Sequence, residues 1–250
     1  MPGIVACEAL YNLVDRFAPD AAVRYVPAEL HEFPVNVPLP EAIHDRVQAA
    51  IEELDTPEVE RIVVSYALGD AESELSTRHA ALEVSAAADC VSTLLPAGEN
   101  EFGENKAPAT LYLTRGWIDC GVDSYKLYRL YRDDLTELLA QFEAAADRHE
   151  DLRYTWHRGE RFEQARQRPA PASAGLADDF FRSIVEHYHR VVLVDTGDLY
   201  SFHHEYAEAV RDFIVGLRTE QRRAEVDLTI VDAETEAFEA LLAGDRSSEP

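Results

Sequence analysis

Short apolar runs rich in β-branched residues alternate along this chain with longer amphipathic stretches, and that alternation leaves few folds open. The runs are Gly3 to Cys7, Ala22 to Val26, Arg61 to Tyr66, Ala81 to Ser85, Thr110 to Thr114, Arg190 to Asp195 and Ala224 to Val231. Helical stretches lie between them at about 8–17, 41–54, 126–149, 178–189, 200–219 and 234–243. In the second of these, Ile43, Val47, Ala50, Ile51 and Leu54 recur at the three-and-four spacing of a helix with one buried face. The pattern predicts an α/β fold: an open, mostly parallel, Rossmann-like sheet of about six to seven strands flanked by helices, with a long helical excursion at about 126–165. One α/β domain is expected over 1–244, followed by a disordered tail at 245–250. Polar, Gly- and Pro-bearing stretches at 96–109 and 165–177 are expected to be loops.

Charge narrows the partners. With Asp plus Glu at 48 against Lys plus Arg at 23, the formal net charge is -25, which repels nucleic acid backbones and anionic lipid surfaces. Among the 23 cations only Lys106 and Lys126 are lysines. Such a surface suits molar salt, where the Debye length shrinks to about 3 Å. A haloarchaeal-type, high-salt cytoplasm is therefore the expected location, with no nucleic acid and no membrane as partner. No stretch approaches the roughly 18 apolar residues of a membrane span. Cys7, Cys90 and Cys120 are too few and too scattered for a disulfide framework.

Common catalytic signatures, including a Gly-rich phosphate loop, GxSxG, HExxH and CxxC, are absent. The short clusters HYH at 187–189 and HHE at 203–205 do not place two histidines on one helical face. Topology is more informative, because open parallel sheets bind ligands beyond the carboxyl ends of their strands. That edge would collect Cys7, His31, Tyr66, Asp70, Asp89, Cys90, Trp117 and Asp195. Cys7, His31 and Cys90 make a zinc-like set of two thiolates and one imidazole with a fourth position open. The alternative at this stage is that the thiols are small buried hydrophobes. Tyr66 and Trp117 would border a pocket, Asp195 would support His31 or a metal-bound water, and Asp198 would cap the following helix. Cys120 is expected to be structural. The stretch YKLYRLYR at 125–132 reads as a helix with a buried aromatic stripe.

At these residues the chain resembles domain-of-unknown-function family 1638 (DUF1638). The resemblance rests on IVACEAL at 4–10, VPAELHEFPVNVP at 26–38, VVSYALG at 63–69, DCV at 89–91, LYLTRGWID at 111–119, VLVDTGD at 192–198 and VDLTIVDAETEAFEALLAG at 226–244. It implies a Cys/His site on an α/β scaffold, at positions matching Cys7, His31, Gly69 and Cys90. Gly69 stands where the family has a thiol, and Ala88 where a histidine is common, so Asp70, Asp89 or water would complete the site. The resemblance also implies a setting in methyl-group metabolism beside corrinoid methyltransferases, with a small molecule or a protein of that metabolism as partner. Zinc is the expected cofactor. The alternative is a metal-free accessory or small-ligand-binding protein that has lost the site.

Overall fold

The computed structural model describes residues 1–28, 40–66, 75–85, 90–95, 109–132, 135–158, 160–167, 174–218 and 226–244, with the side chains of residues 40–42, 160, 161, 164, 165 and 174 also left out. Strand β1 (Gly3–Cys7) is buried at every position, as a strand covered on both faces and flanked on both edges must be. Its neighbours are β2 (Ala22–Val26) and β3 (Arg61–Ser65), both parallel, with Gly3 opposite Ala22 on one side and Ile62 on the other. Strand β4 (Ala81–Val84) joins the far side of β3, giving the order β2-β1-β3-β4. Helix α1 (Tyr11–Phe17) links β1 to β2, and α2 (Pro40–Leu54) lies between β2 and β3 in sequence and packs on β2 and β1.

The remaining strands make a second sheet. Parallel β5 (Thr110–Thr114), β6 (Arg190–Asp195) and β7 (Asp227–Asp232) follow one another in spatial order. The expectation of one open sheet of six to seven strands is thus corrected to a four-stranded and a three-stranded sheet among the described residues. The number of strands and their parallel sense hold, while the continuity of the sheet does not. A buried parallel strand is apolar on both faces whichever sheet it enters, so its pattern does not record its neighbours.

Alternating residues of β5 and β6 tie two cores together. Tyr112, Val192 and Val194 belong to the cluster built on the first sheet, whereas Leu113, Val191 and Leu193 belong to the second. The second core is closed by α4 (Ser124–Tyr131), α5 (Leu135–Ala146), α6 (Glu160–Gln167), α7 (Ala174–Val185) and α8 (Ser201–Leu217). The long excursion is therefore a series of shorter helices. As anticipated, Tyr125, Tyr128 and Tyr131 form an aromatic stripe against Phe181, Tyr206 and Phe213. Helix α9 (Glu236–Ala243) returns from the second sheet and buries Phe238 and Leu242 in the first core. Arg61 of β3 donates to the Leu242 carbonyl at 2.7 Å, fastening that return. No helix among the described residues is long and apolar enough to cross a membrane. The expected tail at 245–250 lies outside the described residues.

Candidate functional site

The order β2-β1-β3-β4 reverses direction at β1: the chain steps to β2 on one side, then crosses to β3 on the other. A crevice opens at such a switch point because the two connections leave in opposite directions. Cys7 ends β1 and Tyr66 directly follows β3, so both stand at the carboxyl edge of the two strands that define the reversal. The second sheet, ordered β5-β6-β7, has no reversal.

Cys7 and Cys90 belong to the same buried core cluster here, and the Cys90 thiol acts on that of Cys7. Cys7 is fully buried and Cys90 is 9% exposed. Burial first, and then the neighbouring Cys90 thiol, push the Cys7 thiol well above its usual range. The Cys7 sulfur also accepts from the Ala9 amide at 3.4 Å, at the start of a 3-10 turn over Glu8–Leu10. Cys90 precedes a second such turn at Ser92–Leu94, held by the Thr93 hydroxyl donating to the Cys90 carbonyl at 2.9 Å. Tyr66 is buried in the same core cluster. His31, Asp70 and Asp89, together with Gly69 and Ala88, lie outside the described residues. Among the described residues no three His, Cys, Asp or Glu side chains are grouped so as to hold a metal ion.

Cys120 is nearer this site than its sequence context suggests. It ends α3 (Arg115–Cys120), is buried, and its charge is felt at Cys7. Burial and then the Glu8 carboxylate push its thiol upward, against a smaller opposite effect of Thr155. The Thr155 hydroxyl in turn donates to Glu8 at 2.7 Å.

Trp117 borders both cores, because α3 packs against the 3-10 turn that follows β1. The approach is backbone to backbone: a Cβ on Gly116 would lie 2.0 Å from the Ala9 carbonyl oxygen. Only glycine fits there. Beside this contact Arg115, almost wholly buried, spreads its guanidinium between two carboxylates. It reaches Asp198 at 3.1 Å and Asp151 at 2.9 Å, and donates to both residues' carbonyls at 3.0 and 3.2 Å. Its Nε lies 3.6 Å from Asp119, which is fully buried. Asp119 accepts from the Tyr11 hydroxyl at 2.7 Å and faces His203 Nε2 at 3.2 Å. Because His203 Nδ1 accepts from the Tyr200 amide at 2.9 Å, the ring proton belongs on Nε2, facing Asp119. Tyr11 comes from α1, Asp119 from α3 and His203 from α8, so one carboxylate joins the two sheets' helices.

The sequence reading does not anticipate this network, although LYLTRGWID contains Arg115 and Asp119, and VLVDTGD contains Asp198. The network corrects one expectation. Asp198 does not cap α8, whose N-cap is Tyr200; it binds Arg115, accepts from Asn12 at 2.9 Å and from the Thr196 hydroxyl at 2.5 Å. Asp195 accepts from the Gly197 amide at 2.7 Å, bracing a turn in which Gly197 takes φ +83°. With every guanidinium nitrogen facing a carboxylate, Arg115 is a structural pin between the sheets.

A family model described as a protein of unknown function, DUF1638, matches residues 26–233. That span contains His31, Cys90, Arg115, Asp119, Asp151, Asp198 and His203, and begins after Cys7 and Tyr11. No curated protein and no solved structure matches the chain. With most of its length matched, the chain belongs to the DUF1638 family.

Proposed function

We propose that this protein binds a thiophilic metal ion, zinc by the softness of its donors, at the β1/β3 switch point, with Cys7, Cys90 and His31 as ligands. The observation that supports this most is that Cys7, at the end of β1, and Cys90 are buried in one core cluster. Two buried thiols are soft donors of the kind that zinc takes. His31 would supply the nitrogen, and Asp70, Asp89 or water the fourth position, since Gly69 and Ala88 bring no donor atom.

Bound zinc would supply Lewis acidity, activating a coordinated water or thiol. The chain's own part is to hold the donors and gate their protons. Burial keeps Cys7 protonated, so loading must release protons and strengthens as pH rises. Tyr66 and Trp117 would line the approach for a small molecule. The methyl-group setting implied by the family resemblance points to a methyl donor, or a protein of that metabolism, as the partner, and the acidic surface suits a high-salt cytoplasm.

Metal analysis of protein purified in high salt tests the site. The wild type should carry zinc near one ion per chain, and Cys7→Ser and Cys90→Ser should each lose most of it. Equal metal content in the three proteins would leave a metal-free accessory or small-ligand-binding protein as the function.

A further inference from the structure

The outer edge of the second sheet has the pattern of a strand that pairs with itself. We infer that two copies of this chain associate through β7, antiparallel across a two-fold axis at Ile230, so that their three-stranded sheets become one. β7 belongs to the second sheet and the switch point to the first, so this association and the metal site stand or fall separately.

Three observations carry it. First, among the described residues β7 has a strand neighbour, β6, on one side alone. The Asp227 amide donates to the His189 carbonyl at 3.1 Å and the Ala233 amide to the Asp195 carbonyl at 2.8 Å, so the odd-numbered residues of β7 face β6. The main-chain N–H and C=O groups of Leu228, Ile230 and Asp232 therefore point to the open edge. Second, that edge is accessible. No residue of β7 is buried, whereas β5 at the opposite edge buries its last three residues. Ile230 is 49% exposed, and among the described residues no other strand position leaves a large apolar side chain so open. Nor does β7 carry the proline, lysine or bulge that commonly blunts a free edge.

Third, the outward row is self-complementary. In an antiparallel pair, two residues that both face the partner strand exchange two hydrogen bonds. With the axis at Ile230, that residue meets the partner's Ile230, and Leu228 meets the partner's Asp232, so every outward main-chain group is bonded. Shifting the axis in either direction leaves at least one outward residue beyond the end of the facing strand. The favoured register also sets Asp227 opposite Ala233 and Thr229 opposite Val231, so no carboxylate directly opposes another. The two isoleucine side chains meet on one face and cover each other. Each copy spends its one open β7 edge, so assembly closes at the dimer. A net charge of -25 on each chain opposes the encounter in dilute buffer, and molar salt, with a Debye length of about 3 Å, removes that barrier.

Sedimentation equilibrium of the full-length protein in molar salt should give a mass near twice the 28.0 kDa of the chain. Ile230→Lys puts two like charges on the axis at an exposed position and should halve that mass while leaving the circular dichroism spectrum unchanged. Cross-linking tests the register without relying on that variant. Facing Cα atoms of a hydrogen-bonded antiparallel pair are about 5.5 Å apart, within disulfide reach, so Ile230→Cys treated with diamide should run as a covalent dimer on a non-reducing gel. Leu228→Cys should not, because its two copies would stand roughly 14 Å apart along the strands. The native cysteines are buried, so the untreated sequence should give no covalent dimer under the same oxidation. A single-chain mass in molar salt would overturn the association. A dimer that Ile230→Lys leaves intact, or one in which Leu228→Cys links in place of Ile230→Cys, would overturn the β7 interface.

Discussion

Replacing Gly116 with alanine offers a sharp test of how the two sheets meet. In an exposed helix this substitution stabilises by about 1 kcal/mol, because alanine has the better helix propensity. At Gly116 the new methyl would lie 2.0 Å from the Ala9 carbonyl oxygen and 2.5 Å from its carbon, both backbone atoms with no rotamer to yield. Reaching an ordinary contact of about 3.4 Å requires α3 and the turn after β1 to part by more than an ångström. Overpacking of that kind costs roughly 1–3 kcal/mol or more, and parting the elements would also disturb the Arg115 bonds beside it. A net loss of about 3 kcal/mol is expected, which for a chain this long lowers Tm by roughly 6–12 °C. Gly216 is the internal control: it sits near the end of α8 with nothing within 4 Å of its would-be Cβ. Gly216→Ala should raise Tm by about 2 °C. Thermal melts of the two variants in the same buffer decide the matter. A Gly116→Ala protein that melts at or above the wild type would refute the close approach of α3 to the β1 turn.

Other expectations follow from the buried charges, the phenols and the surface. Arg115→Met leaves the fully buried Asp119 and the partners Asp151 and Asp198 uncompensated, so a loss of about 3–5 kcal/mol is expected by denaturant unfolding. A double-mutant cycle with Asp198→Asn should show coupling of at least about 1 kcal/mol, and simple additivity would dissolve the proposed pin. Burial first, then the Asp119 and Asp123 carboxylates respectively, raise the Tyr11 and Tyr206 hydroxyls. The folded protein thus holds these protons after the unfolded chain has released them. Stability is full below about pH 10 and then falls, by roughly 1.4 kcal/mol per pH unit for each phenol. Tyr206→Phe should flatten that alkaline slope, and an unchanged slope would count against the phenol. Finally, the net charge of -25 predicts a Tm that drops as salt is diluted from molar to ordinary buffer, whereas a flat response would remove the salt-adapted interpretation.

What could be read in advance followed from periodicity. Each strand was located to within about three residues, because runs such as RVVLVD stand out from amphipathic neighbours. The division into two sheets was hidden for the reason that β1 and β6 look alike: both are buried on both faces, and neither records its neighbours. A rule about strand ends puts Cys7 and Cys90 on one edge, and both are buried in the first core. Arg115, Asp119, Asp151 and Asp198 went unread because a buried carboxylate has the same letter as the many that face water in so acidic a chain. One signal was available: an arginine directly before Gly-Trp at the end of a strand, in a region otherwise expected to be buried.

The return of α9 bears on how the protein is made. β1, an inner strand of the first sheet, is synthesised before the elements that cover it, and the last strand of that sheet is complete by Val84. Yet the cluster around it includes Phe238 and Leu242, together with Val192 and Val194 of β6. The early half emerges with an apolar face whose cover has not yet been synthesised. It must wait, exposed, until the final helix arrives, so the nascent chain is the stage at which holding chaperones would matter most. Once α9 docks, both halves close together, and the finished protein should unfold in a single transition rather than sheet by sheet.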